Sequence, residues 1–434
     1  METYRDFILF IQEKFAHPGF QKHSKNMGWM FFAKIGSMAI TFFATAYIAR
    51  NLGPTNYGQL SYAISFVGLF SFIAALGIDQ ILYRDLIKYP EKRNEYLGSA
   101  IALRFTSSVV AIILCMVFAF TLSEKDVSLL LIFIVSLSFI FSSFHLVTYE
   151  FQAKVNQKYP SILSLLVIVI LNILKITAVF FDKGVIYLAL IILLESILYM
   201  AGYLYFRIKI YGTTKDWKFD KNIAKSILKD SFPLIFASAF FVISSRIDQV
   251  MIKNMMDSTS VGLYSSAVSI SEIWYFIPAI ISSSLFPAIV NAKKTSTELY
   301  YRRIKKLFLL ILSISIFAAI TTSFFSEVII RIIFGASFIG ATTVLQIYVW
   351  SNIGGILNSF LQQILVTENL TKIISITTFF GMVTNIVLNM LWIPIYGISG
   401  AAFASMVSYL VPLFLLFLFK SSRKIMLNFL KNNA

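Results

Sequence analysis

The sequence predicts an all-α membrane protein with about twelve transmembrane helices arranged as two six-helix halves. Three observations carry that prediction. Of 434 residues, 58% are hydrophobic and only 13% charged, and the mean hydropathy is +0.79. A soluble domain carries about 25% charged residues, so this chain lacks the polar groups to coat a water-facing surface. Twelve stretches are long and apolar enough to cross a bilayer, which takes about 20 residues each. The third observation is an internal repeat.

The stretches are 27–49, 58–78, 97–120, 128–150, 161–181, 184–206, 231–252, 261–289, 307–330, 338–364, 371–393 and 396–419. Residues 1–26 form a basic N-terminus in which Tyr4–Phe15 is expected to lie as a short amphipathic helix on the membrane surface. No continuous apolar core precedes the first stretch, so no cleavable signal is expected. The first half is 27–206, the second 231–419. Between them runs a basic linker, 207–230, expected to be an interfacial helix, and 420–434 is a basic tail. An even number of spans puts both termini on one side. That side receives 28 of the 37 Lys and Arg, against five on the other and four within spans. By the positive-inside bias, both termini are therefore expected in the cytoplasm. The net charge of +16 is topology signal and calls for no nucleic acid.

Gly58-Gln-Leu-Ser-Tyr-Ala-Ile-Ser65 aligns with Gly262-Leu-Tyr-Ser-Ser-Ala-Val-Ser269 at an offset of 204. At an offset of 213, Asn156 pairs with Asn369, Asn172 with Asn385, Gly184 with Gly397 and Ala189 with Ala402. Repeats of six spans each share one orientation, related by a pseudo-twofold axis along the membrane normal. Transporters built this way place the substrate path between the halves and alternate access by rocking.

Three segments resemble a known family. They are Ala49-Arg-Asn-Leu-Gly-Pro-Thr-Asn-Tyr-Gly-Gln-Leu60; Ile247-Asp-Gln-Val-Met-Ile252 followed by Val261-Gly-Leu-Tyr264; and Ile393-Pro-Ile-Tyr-Gly-Ile-Ser-Gly-Ala-Ala402. In order and spacing they resemble the O-antigen and capsule repeat-unit flippases of the multidrug/oligosaccharidyl-lipid/polysaccharide exporter superfamily. The resemblance implies a V-shaped, alternating-access architecture like that of the multidrug exporters. It also implies a cargo, an oligosaccharide on undecaprenyl pyrophosphate carried from the cytoplasmic to the outer leaflet. A polysaccharide polymerase and chain-length machinery are the partners it implies, with membrane lipids around the fold.

Ionisable groups within spans are costly and mark cavities or pairs. Lys34 shares a helix face with Ser37, Thr41 and Thr45, either as part of a cavity stripe or snorkelling to the interface. Arg246 and Asp248, two apart, point to different faces, so one meets the cavity or both join interhelical pairs. Glu272 aligns with Gly68, so its acid belongs to one half only; it lines a cavity, couples an ion, or pairs with Arg246 or Lys34. Lys175 and Glu195 suit a structural ion pair. Arg104 either snorkels or meets phosphate; Arg50 and Lys253, repeat-related cations at the outer helix ends, meet either the pyrophosphate after crossing or outer-leaflet headgroups. A pyrophosphate would favour a cationic lumen, for which Lys34 and Arg246 are the best placed. Asp248 and Glu272 are the candidates for coupling to protons or sodium, unless the membrane potential drives the cargo directly.

No enzyme signature is present. His17, His23 and His145 have no metal-ligand spacing, no nucleophile elbow or phosphate loop occurs, and lone Cys115 suits a buried packing residue. A cofactor is not expected. Two other functions compete with the flippase: a cation-coupled drug exporter of the same superfamily, and a membrane polymerase or ligase. The first would favour an acidic cavity, whereas the in-span charges are slightly basic. The second would need more than the very short outer loops.

Overall fold

The structure is a computed structural model that describes residues 18–122 and 127–431. The Tyr4–Phe15 segment lies outside the described residues, as does the side chain of Lys34, whose backbone is helical. Among the described residues the secondary structure is helical throughout. In chain order the helices are α1 Pro18–Leu69, α2 Ser71–Ala75, α3 Ile78–Lys88, α4 Arg93–Leu122, α5 Val127–Ser136, α6 Ser138–Ser142 and α7 Val147–Ala153. There follow α8 Lys158–Phe180, α9 Gly184–Tyr211, α10 Lys221–Met255, α11 Ser258–Glu272, α12 Phe276–Thr295, α13 Thr297–Phe324, α14 Ser326–Ile333, α15 Thr342–Thr367, α16 Thr371–Leu415 and α17 Lys420–Lys431.

Each of the twelve apolar stretches falls on helix. Eight described helices are long and apolar enough to cross a membrane by themselves, or nine when the bent pair Gly36–Leu69 and Ser71–Lys88 is taken as one span. The difference from twelve has two physical sources. α1 and α16 each run two helices together over a glycine with non-helical backbone, Gly53 (φ 74°, ψ 167°) and Gly397 (φ 59°, ψ −142°). Only glycine adopts such angles without strain. The other source is α15, whose Gln346, Asn352, Asn358, Gln362 and Gln363 dilute its hydropathy. Large apolar side chains such as Phe43 (71% exposed) and Phe324 (80%) face outward, as lipid-facing residues do.

The repeat is visible in the backbone. Gly184 and Gly397, paired at offset 213, both have positive φ, 76° and 59°. Their partners along the repeat match in burial: Ala189 and Ala402 are fully buried, as are Asn172 and Asn385 nearly so.

Contacts divide the chain into two compact units. One comprises residues up to Thr45, Ser71–Met116 and Phe133–Pro233; the other comprises Ala46–Phe70, Val117–Ile132 and Leu234–Ala434. The first unit has a core of Ile78, Leu82, Leu97, Leu146, Val147, Phe151 and Ile227, among others. It also holds the linker. Instead of forming an interfacial helix of its own, 207–230 divides into the end of α9, an irregular stretch and the first turns of α10. The reason is local bonding. Arg207 donates to the carbonyls of Gly212 (2.8 Å) and Thr213 and stacks over Trp217. Asp220 N–H is taken by Ser99 Oγ (2.9 Å), and the Asp220 carboxylate caps α10 by accepting from Asn222 and Ile223 N–H (2.8 and 2.9 Å). Asp230 then meets Arg84 at 2.6 Å. These contacts bind the start of α10 to the first unit as far as Pro233, where the helix loses one backbone donor.

In the second unit the segment after Gly53 crosses the start of α11. A Cβ on Gly58 would fall on the Ser258 carbonyl, and one on Gly262 on the Pro54 carbonyl. Both pairs of glycine and opposing carbonyl are related by the 204-residue offset. The hydroxyls of Thr55 and Thr259, also 204 apart, share a hydrogen bond of 2.9 Å. The two halves of the sequence thus meet here about a local twofold, which small residues make possible.

Candidate functional site

Asp248 lies on α10 one turn from Ser244 and is 4% exposed. Its carboxylate accepts from Tyr264 Oη (2.5 Å, α11), Ser405 Oγ (2.5 Å, α16) and Asn389 Nδ2 (2.7 Å, α16). Asn389 Nδ2 also reaches Asn385 Oδ1 at 3.2 Å. Asn385 and Asn389 sit at i,i+4 on one face of α16, which aims both at the same point. Every partner is neutral, so the interhelical salt bridge considered from the sequence is not formed: among the described residues Asp248 makes no ion pair. Asn389 Oδ1, Asn385 Nδ2 and Gln249 Oε1 are buried without a partner. A buried carboxylate without an opposite charge costs several kcal/mol, and these three donors offset part of that cost.

Beside the cage opens a cavity of about 350 Å³. Phe241, Ser244 and Ser245 of α10, Glu272 of α11 and Tyr275 form one side. Tyr348, Gly355, Asn358, Ser359 and Gln362 of α15, with Thr378, Gly381, Ser408, Tyr409 and Pro412 of α16, form the other. Two glycines shape it. A side chain at Gly355 would collide with the Tyr275 hydroxyl, and one at Gly381 would press on Pro412 and the Ser408 carbonyl. Asn358 Nδ2 donates to the Tyr409 carbonyl (2.6 Å), fixing α15 to α16 at the wall.

The ionisable side chain on the cavity wall is Glu272, together with three tyrosines. Glu272 and Arg246 form no ion pair among the described residues, although Arg246 is close enough to act on the acid electrostatically. The Arg246 side chain lies across Gly68, the repeat counterpart of Glu272, with Cγ 3.6 Å from where a Cβ there would stand. The wall of this cavity is therefore aromatic and polar, with Glu272 as its acid and Arg246 nearby.

The other candidate charges whose side chains are described engage partners elsewhere. Arg104 Nη1 pairs with Asp79 Oδ1 at 2.6 Å, a partner the sequence did not nominate. Lys175 and Glu195 form the structural ion pair expected of them, at 3.4 Å. Arg50 donates to the Ile332 carbonyl at 3.3 Å, at the end of α14. Lys253 engages neighbouring groups. Sequence reasoning missed Tyr264, Asn389, Ser405, Tyr275, Tyr348 and Tyr409. The signal available for the cage was the Asn385/Asn389 spacing inside an apolar helix; the tyrosines carried no signal among 21 Tyr.

A family model described as polysaccharide biosynthesis protein matches residues 24–293, more than half of the chain. The chain belongs to this family. A second model, MatE, matches residues 233–391 of the same chain. The capsular polysaccharide biosynthesis protein CapF of Staphylococcus aureus is 23% identical over 404 residues, covering 90% of this chain and 97% of that protein. Lsg locus putative protein 1 of Haemophilus influenzae is 22% identical over 267 residues, covering 60% and 64%. Among solved structures, the inward closed conformation of the lipid II flippase MurJ has a TM-score of 0.75 at 20% identity, covering 92% of this chain and 90% of that one. An inward-facing multidrug resistance MATE family transporter of the MOP superfamily has a TM-score of 0.66 at 13% identity, covering 92% and 96%. This member of the polysaccharide biosynthesis family is thus a multi-pass membrane protein with the fold shared by MOP superfamily transporters.

Proposed function

We propose that the protein is a flippase for an oligosaccharide carried on undecaprenyl pyrophosphate, moving it from the cytoplasmic to the outer leaflet of a bacterial inner membrane by alternating access. The observation that carries this reading is the pairing of a polysaccharide biosynthesis family match with a transporter fold. A sugar chain cannot cross hydrocarbon unaided, and a polar cavity among membrane helices supplies the missing hydrogen bonds. Cleaving or joining sugars needs positioned carboxylates or a bound donor, and the cavity wall has only Glu272 among its lining residues. The lipid tail can remain in the bilayer throughout.

Asp248 and its cage are the coupling site of this reading. The cage offers carboxylate, carboxamide and hydroxyl oxygens, a set that suits a proton or a hard cation such as sodium. Charging it with either would hold α10, α11 and α16 together; discharging it would leave a buried carboxylate unpaired and favour rearrangement.

A second reading has its own support. The MatE match and the acid on the cavity wall suit a cation-coupled exporter of cationic drugs. Mass spectrometry of lipid-linked sugars in cells depleted of the protein separates the two, together with a probe that labels outer-leaflet sugars only. Accumulation of a complete, unlabelled polyprenyl-pyrophosphate oligosaccharide supports the flippase. Normal lipid-linked sugars with new sensitivity to cationic drugs would replace it with the exporter.

A further inference from the structure

We propose that the cavity walled by α10, α11, α15 and α16 is a sugar-recognition subsite, accepting one neutral or amino-bearing pyranose ring and rejecting uronic acids. This deepens the flippase reading and rests on it.

The lining chemistry decides among three possible occupants. Hydrocarbon would leave Glu272 and the carboxamides of Asn358 and Gln362 without partners at a cavity wall. A phosphate or uronate would face Glu272 directly, while the nearby Arg246 lies across Gly68 and is not among the lining residues. A pyranose meets both demands. Its hydroxyls donate to Glu272 and to the carboxamide oxygens, while its C–H faces lie against Tyr275, Tyr348 or Tyr409. Asn358 has its Nδ2 committed to the Tyr409 carbonyl, which leaves its oxygen to accept from a ligand. Glu272 has no hydrogen bond or ion pair among the described residues, so its acceptor capacity is open to whatever enters. An ammonium on the ring would add charge assistance.

The space itself is built rather than incidental. Gly355 gives way to the Tyr275 hydroxyl, so Tyr275 can stand in the wall without filling the cavity. The volume of about 350 Å³ is at the small end of the range of roughly 300–1,000 Å³ for ligand sites, which suits one sugar unit and not a whole repeat. The acid also has no counterpart in the first half, where Gly68 stands in its place. Recognition at this position is therefore confined to one side of the pseudosymmetric molecule.

The test is saturation-transfer NMR on the full-length protein in lipid nanodiscs, with free glucosamine, N-acetylglucosamine and glucuronate as probes. Glucosamine and N-acetylglucosamine are expected to bind and glucuronate not to. Glu272→Gln, which keeps the shape, should weaken glucosamine by about tenfold and admit glucuronate. Gly355→Val should abolish binding of all three by driving Tyr275 into the cavity, with thermal melting as the fold control. Equal binding of glucuronate and glucosamine overturns the proposal, as does binding indifferent to Glu272→Gln. Tetraphenylphosphonium binding that depends on Glu272, without any sugar binding, also overturns it and assigns the cavity to cations. The outcomes stay separable from the flippase reading. Lipid-linked sugar accumulation without monosaccharide binding removes the subsite alone, and binding without accumulation removes the flippase.

Discussion

At the scale of single residues, Asp248 is buried without an opposite charge among the described residues. Asp248 is held by three neutral donors from two other helices. Asp248→Asn keeps the shape and removes the charge, so the protein should fold and still bind cargo but lose ion-dependent transport. Transport into proteoliposomes with and without a proton or sodium gradient measures this; unchanged gradient dependence would dismiss Asp248 as the coupling group. Glu150 presents the opposite case. It is 1% exposed and lies between Arg207 (3.4 Å), Arg93 (3.1 Å) and Lys154 (3.8 Å). Glu150→Gln leaves buried Arg207 without a counter-charge and should cost about 3–5 kcal/mol, read as a fall in the thermal midpoint in detergent. Lys154 is held below the usual lysine range, first by burial and then by Arg93. The folded protein therefore binds fewer protons than the unfolded chain between that lowered value and the ordinary one, so stability rises with pH through the window. Lys154→Met should flatten that rise just below the ordinary lysine value of about 10.4. From sequence, Asp248 and Glu272 could be marked as unusual because charge inside an apolar stretch is visible there. Their partners could not: Ser405 is 157 residues from Asp248, and helical rotation alone decides that they meet.

At the scale of helices, hydropathy located every long apolar stretch because lipid imposes a length and a composition on each. It was weaker where a helix bends or carries function. Gly53 and Gly397 break helices that hydrogen-bond patterns run together. α15 is less apolar than its neighbours, and its carboxamides line the cavity or bond to neighbouring helices. The linker differed for a similar reason: its charges suggested a surface helix, but Asp220 and Asp230 use theirs to cap and anchor α10. The crossing at Gly58 and Gly262 supports a further prediction. With Cys115 replaced by Ala, Thr55→Cys with Thr259→Cys should form a disulfide, since the native hydroxyls lie 2.9 Å apart. If this crossing must separate during transport, oxidation arrests transport and reduction restores it. A cross-linked protein that transports at the full rate would show that the crossing stays closed throughout the cycle.

At the scale of the whole molecule, the charge asymmetry predicts the orientation. A C-terminal green fluorescent protein fusion should fluoresce and a C-terminal alkaline phosphatase fusion should be inactive, as cytoplasmic termini require; the reverse would invert the topology. The sequence by itself determined that the chain spans a membrane, that it is helical, that it is internally duplicated and that it resembles a polysaccharide flippase. Those properties are one-dimensional: hydropathy, periodicity and spacing act along the chain, and each helix must satisfy its own backbone whatever its neighbours are. Only the tertiary structure decided which charges are spent and which are open. It paired Arg104 with Asp79 and Lys175 with Glu195, caged Asp248 in neutral donors, and left Glu272 facing a cavity of tyrosines and amides. The physical reason is that a charge inside a membrane protein is defined by what it touches, and what it touches is set by how helices far apart in sequence rotate and pack.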